Sequence, residues 1–345
     1  MEMCQLRLQN RYHEAMTMLD KITVLVAAYN EEASLPILHA RLAEAIKNGD
    51  AEYEILYVDD GSTDKTWELL EQIAQSDSRV VLVRLSRNFG KEAALTAGLD
   101  HAAADSKALI VLDADGQDPP ELIPQFIAKW REGFDVVYGT RTEREGESWL
   151  KRITSTAFYR VINSLSNIHI PADTGDFRLI SRNVLDALSQ MGERQRFMKG
   201  LFAWVGYQQT ALHYTRQARI AGATKFNYWR LWNLALEGIT SFSTAPLRLA
   251  TYVGLLAALF AFAYGIWIIA KTMLWGDAVQ GWPSMMTVIL LLGGMQLMAL
   301  GMVGEYLGRL YMETKQRPLY LVAKQFPSSA NRHMIGRTAS NPNGG

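Results

Sequence analysis

Asp113 and Asp115, one residue apart and followed by Gln117, form the densest set of hard oxygen donors in the chain. They directly follow the apolar run Ile110-Val111-Leu112 and precede Asp118-Pro119-Pro120. Carboxylate and amide oxygens at the end of a buried strand suit Mg2+ or Mn2+, and such an ion can in turn hold a diphosphate. The chemistry expected is activation of a nucleotide-linked leaving group. Two carboxylates at this spacing also suit capping of the next helix.

Two further strand ends of the same form lie upstream. Ile55-Leu56-Tyr57-Val58 runs into Asp59-Asp60-Gly61-Ser62-Thr63-Asp64, and Ile22 to Ala28 runs into Tyr29-Asn30-Glu31-Glu32. In an open parallel sheet the loops at the carboxyl ends of the strands converge on the ligand. The three loops are therefore expected to share one crevice. Lys91, after Gly90 and at the start of an alanine-rich segment, is placed to meet phosphate at a helix N-terminus, or simply to be solvated.

Taken in order, Val26-Ala27-Ala28-Tyr29-Asn30-Glu31-Glu32, Val58 to Asp64, Arg87-Asn88-Phe89-Gly90-Lys91 and Asp113-Ala114-Asp115-Gly116-Gln117-Asp118 resemble the motifs of family 2 glycosyltransferases with the GT-A fold. Thr174-Gly175-Asp176-Phe177-Arg178 and Arg219-Ile220-Ala221-Gly222-Ala223-Thr224-Lys225-Phe226 narrow the resemblance to the polyprenyl-phosphate glycosyltransferases, the group of dolichol-phosphate mannose synthase and the bactoprenol glucosyltransferases. It covers residues 20 to about 325. The resemblance implies an α/β catalytic domain with a Rossmann-like, mostly parallel sheet. It implies metal contact by Asp113, Asp115 and Gln117, and nucleotide contact by Ala27, Tyr29, Glu31 and Asp60, with Asp113 also able to face the ribose. Asp59 reads equally as a turn residue.

The acceptor shapes the rest of the site. A sugar hydroxyl needs a base, whereas a phosphate monoester is already anionic near neutral pH, its second pKa being about 6. Such an acceptor calls for cations, and Arg141, Arg152 with Ser155, Arg178 and Lys225 are the candidates. Arg141 and Arg152 fall on the family's phosphate-binding positions. Asp115, Asp176 and Arg178 are the candidate catalytic residues, Asp176 either as base or as an orienting group. The resemblance further implies inversion at the anomeric carbon, a homo-oligomer and, from Phe197-Met198-Lys199-Gly200, Trp204-Val205-Gly206 and residues 231–242, UDP-glucose as donor. Other UDP-sugars and GDP-mannose are the alternative donors, and a non-catalytic nucleotide-sugar-binding subunit is the alternative function. The Gln-x-x-Arg-Trp motif of processive synthases is absent, which favours transfer of a single sugar.

The rest of the chain fits a membrane-bound enzyme. Its 345 residues carry 35 basic and 35 acidic side chains, a balance that argues against a nucleic-acid partner. The single cysteine, Cys4, excludes an internal disulfide framework. Residues 1–19 read as an extension without a signal-peptide pattern, and residues 20–226 as the cytoplasmic catalytic domain. Residues 227–248 read as interfacial helices, with Trp229, Trp232, Leu236 and Ile239 at helical spacing. Residues 249–308 are expected to hold two membrane spans, about 249–270 and 286–307, each near the roughly 20 residues a bilayer requires. Arg230, Arg248, Arg309, Lys315 and Arg317 flank the pair, against Lys271 alone in the connecting loop, so both ends are expected on the cytoplasmic side of a bacterial inner membrane, with 309–345 as a cytoplasmic tail. Gly304 and Gly308 would permit close helix contact.

Overall fold

A computed structural model describes residues 19–141, 174–194, 196–215, 245–275 and 281–326. Uninterrupted apolar runs become the central parallel strands because such strands are covered on both faces. β1 (Asp20–Ala28), β2 (Ala51–Asp59), β3 (Val80–Leu85) and β4 (Ala108–Asp113) are nearly all buried. Between them run α1 (Leu35–Lys47), α2 (Thr66–Ser76) and α3 (Lys91–His101). A short 3-10 turn, Pro120–Leu122, leads into α4 (Ile123–Arg131). Then follow β5 (Val136–Arg141), β6 (Thr174–Ser181), α5 (Arg182–Gln190), α6 (Met198–Trp204) and β7 (Gln209–Tyr214).

Pleating divides each strand between two cores. Val24, Val26, Ile55, Tyr57, Ile110 and Leu112 pack with α1, α2 and α4 on one face. Leu25, Leu56, Val58, Leu109 and Val111 pack with α3, α5 and α6 on the other. Helix α3 lies so close to β1 that a Cβ on Gly98 would come within 2.1 Å of the Leu25 side chain. That approach sets the depth at which Lys91, at the other end of the helix, meets the sheet.

The described strands form one mixed sheet in the order β7-β5-β6-β4-β1-β2-β3-β8. The β3-β2-β1-β4 block is parallel. β6 runs antiparallel to both β4 and β5, while β7 is parallel to β5. The strand order reverses between β1 and β4, where a ligand crevice is expected, and Ala27 stands opposite Asp113 there.

Two long helices follow, α7 (Ala245–Trp275) and α8 (Trp282–Thr314), both longer than the expected spans. Residues 250–267 of α7 have a mean hydropathy of 1.6, and none of that stretch is buried within the protein. Among the described residues α7 is the helix long and apolar enough to cross a membrane. On α8, Arg309 pairs with Glu305 at 3.0 Å, one turn apart. The chain then returns as β8 (Val322–Phe326), antiparallel to β3 at the sheet edge. Ser86 N–H donates to Leu321 O at 2.8 Å, and Tyr320 hydroxyl donates to Asp100 at 3.0 Å. Part of the expected tail is thus a strand of the catalytic sheet.

Candidate active site

The loops after β1 and β2 are knit together by side chains. Asn30, in the left-handed region at φ 55°, receives Thr63 N–H on its Oδ1 at 2.9 Å, while its own N–H reaches Ser62 Oγ at 3.0 Å. Glu31 N–H donates to Thr66 Oγ1 at 2.8 Å, and the Glu31 carboxylate accepts from Ser34 Oγ within its own turn. Tyr29 is left 42% exposed on the crevice rim, a free ring face of the kind that stacks on a base.

Asp60 is almost wholly buried, and its two oxygens accept from Phe89 N–H at 2.8 Å and Gly90 N–H at 2.9 Å. Burial pushes its carboxyl above the usual range although both donors oppose this. Its observed role is to clasp the 86–90 loop against β2. Gly61, at φ +65°, lets that loop pass, since a Cβ there would stand 2.4 Å from the Arg87 carbonyl carbon. Asp59 is the structural member of the pair: its Oδ1 accepts Ser62 N–H, and Arg84 Nε lies 3.2 Å from Oδ2.

The clasped loop delivers Lys91 to the crevice. Its Nζ lies 2.6 Å from Asp113 and 2.5 Å from Asp176, bridging the ends of β4 and β6. Burial works against the charge, but the two carboxylates outweigh it and raise the ammonium's pKa. The same ion pair, with Lys199 and Arg178, holds Asp176 well below the usual carboxylate range despite burial. Arg178 is only 4% exposed, stacked 4.0 Å over the Phe202 ring and bonded through Nη2 to Gly175 O at 2.9 Å. Burial lowers the guanidinium pKa to about 10, against Asp176 and Glu92, which hold it up.

Asp115 and Gln117 lie in the turn after β4, with Asp115 Oδ1 accepting Gln117 N–H at 3.1 Å around Gly116 at φ 70°. Among the described residues no three His, Cys, Asp or Glu side chains gather as a metal cluster. The donor set is instead two carboxylates and an amide, on residues that are each only partly buried, and this fits a hard divalent cation. Arg141 closes β5 opposite Tyr214, whereas Arg152, Ser155 and Lys225, like residues 1–18 and the expected interfacial helix up to residue 244, lie outside the described residues.

Such an arrangement can hold a divalent cation and position an anion beside it. The Glycosyl transferase family 2 model matches residues 23–189, and the GtrB C-terminal hairpin model matches residues 245–310. An uncharacterized glycosyltransferase of Synechocystis is 52% identical over 303 residues, covering 88% of this chain and 95% of that protein. The chain belongs to glycosyl transferase family 2. A prophage bactoprenol glucosyl transferase homolog of Escherichia coli K12 is 49% identical over 304 residues, 88% of this chain and 99% of that one. The bactoprenol glucosyl transferase of Shigella phage SfX is 48% identical over 302 residues, 88% and 98%. The mixed sheet is the GT-A domain of this glycosyltransferase.

Sequence reasoning missed two members of the glycosyltransferase's charged cluster, Glu92 and Lys199. Glu92 accepts Met198 N–H at 3.1 Å, and burial, reinforced by Asp176, raises its pKa from 4.5 to about 7. Its signal in the sequence was faint: an acidic residue on the buried side of an alanine-rich helix start. The folded protein holds this proton more tightly than the unfolded chain does. The site therefore favours folding below pH 4.5 and loses that contribution as the pH rises through about 7. Denaturation midpoints measured in detergent from pH 5 to 8 are expected to fall with pH in the wild type and to fall less steeply in Glu92→Gln.

Proposed function

We propose that the protein transfers one glucose from UDP-glucose to a polyprenyl phosphate such as undecaprenyl phosphate, with inversion, at the membrane surface. The observation that carries this reading is the convergence of Asp113, Lys91 and Asp176 at the β1/β4 crevice, in a chain matched along nearly their whole length by bactoprenol glucosyl transferases.

In this reading Tyr29 and Ala27 line the nucleotide side, while Asp60 acts on it through the loop it clasps. Asp113, Asp115 and Gln117 would hold a divalent cation, Mg2+ or Mn2+, which when bound offsets the charge that develops on the departing diphosphate. A phosphate oxygen of the acceptor attacks C1 of the sugar as the bond from C1 to the diphosphate oxygen breaks, releasing UDP. An α-linked donor then gives a β-linked product. The acceptor arrives as an anion, so Asp176 need not remove a proton from it; its observed partners make it the counter-charge that keeps Lys91 and Arg178 in place.

The helices α7 and α8 serve as a membrane hairpin. Leu256, Phe260 and Phe262 of α7 are exposed, the last by 71%, as lipid-facing side chains would be. The pairing of β8 with β3 brings the end of α8 back to the catalytic domain, which supports both hairpin ends lying on one face of the membrane. A lipid phosphate could then reach the crevice without its chain leaving the bilayer.

The test is incubation of the purified protein and undecaprenyl phosphate in detergent with labelled UDP-glucose, UDP-GlcNAc or GDP-mannose. Label from UDP-glucose is expected in the organic phase. Preference for another donor would reassign the sugar, and binding without transfer to any lipid would favour a nucleotide-sugar-binding subunit.

A further inference from the structure

We infer that Lys199 binds the acceptor's phosphate, held in place by a Glu92 contact that fixes the start of α6. The inference rests on the lipid-phosphate reading above. Helix α6 is tied to the charged cluster at two points: Met198 N–H is bonded to Glu92, and Phe202 underlies the Arg178 guanidinium. Lys199 lies between them, and its charge is felt by both Asp176 and Glu92.

The other two cations of the cluster are engaged. Lys91 is bridged between Asp113 and Asp176, and Arg178 is bonded to Gly175 O. Lys199 is half-buried and makes no hydrogen bond or ion pair among the described residues. The Lys199 ammonium, close enough for Asp176 to feel its charge yet with no direct bond among the described residues, keeps its donors available to an arriving anion.

Its place in the fold indicates which anion. The nucleotide-facing loops follow β1 and β2, whereas α6 packs on the sheet face that α3 and α5 also cover and leads into β7. β7 pairs with β5, whose last residue is Arg141, the candidate acceptor-phosphate cation from sequence. Helix α6 thus runs on, through β7, to the strand that ends in Arg141. A phosphate monoester dianion is the ligand that a compact, flexible ammonium suits there.

Steady-state kinetics separate the alternatives. Losing one charge-assisted contact to phosphate corresponds to about a ten- to hundredfold weaker interaction. Lys199→Ala is therefore expected to raise KM for undecaprenyl phosphate by about that factor, with KM for UDP-glucose nearly unchanged and Lys199→Arg partly restoring the loss. Glu92→Ala, which frees Met198 N–H, should raise the same KM, whereas Glu92→Gln, which still accepts that bond, should not. An unchanged acceptor KM in Lys199→Ala, or a rise confined to UDP-glucose, overturns the inference while leaving the parent reading intact. A wild-type protein that transfers sugar to no polyprenyl phosphate overturns the parent reading, and this inference with it.

Discussion

Replacing Asp115 with alanine is expected to lower sugar transfer by about a thousandfold, equivalent to about 4 kcal/mol of lost transition-state stabilisation. The residue lies in the partly exposed turn after β4, outside both apolar cores, so the fold should survive its loss. Initial rates over a range of Mg2+ and Mn2+ concentrations, read beside the thermal midpoint, check the two expectations together. The account requires a large fall in rate that added metal does not rescue, with a midpoint close to that of the wild type. A rate within tenfold of the wild type would mean that this carboxylate does not handle the leaving group.

Asp176→Asn should damage both turnover and stability, and that combination distinguishes it from Asp115→Ala. The substitution keeps the shape but removes the counter-charge from Lys91, 2.5 Å away, and from the buried Arg178 guanidinium. Stripping one partner from a buried pair costs about 3–5 kcal/mol. The Lys91 side chain is 46% exposed, so solvent screening should reduce the loss here to about 2 kcal/mol. Turnover should fall by about a hundredfold or more as Lys91 and Arg178 lose their positions. Denaturant midpoints and kcat measured on one preparation test both parts. A drop in stability with normal kcat would leave Asp176 a purely structural residue.

The crevice was readable from sequence because strand ends are marked twice, by apolar runs and by the acidic turns that follow them. Asp113, at the end of β4, illustrates this, while Lys91 was marked instead by Gly90 before it and the alanine-rich helix after it. Their direct pairing was not readable, since it depends on how closely α3 lies against β1, a distance set by Gly98 against Leu25. Asp60 shows another limit: its two backbone partners, Phe89 and Gly90, come from a loop that only the folded chain brings near. Glu92 was hidden because burial, not composition, gives it its unusual proton affinity. β8 carries too weak a pattern to announce itself, being five exposed residues at a sheet edge, and its partner β3 precedes both long helices. The likeness to bactoprenol glucosyltransferases, in contrast, rested on ordered motifs spread along the chain, and it agrees with the relatives at 48–49% identity.

The central claim is a single displacement by a lipid phosphate on UDP-glucose at this crevice. It is tested most directly by determining, through NMR, the anomeric configuration of the glucosyl phosphate lipid made by the wild-type protein, with Asp115→Ala as the control. A β-linked product from the wild type and none from the variant is the predicted result. An α-linked product, or equal product from the variant, would contradict the account.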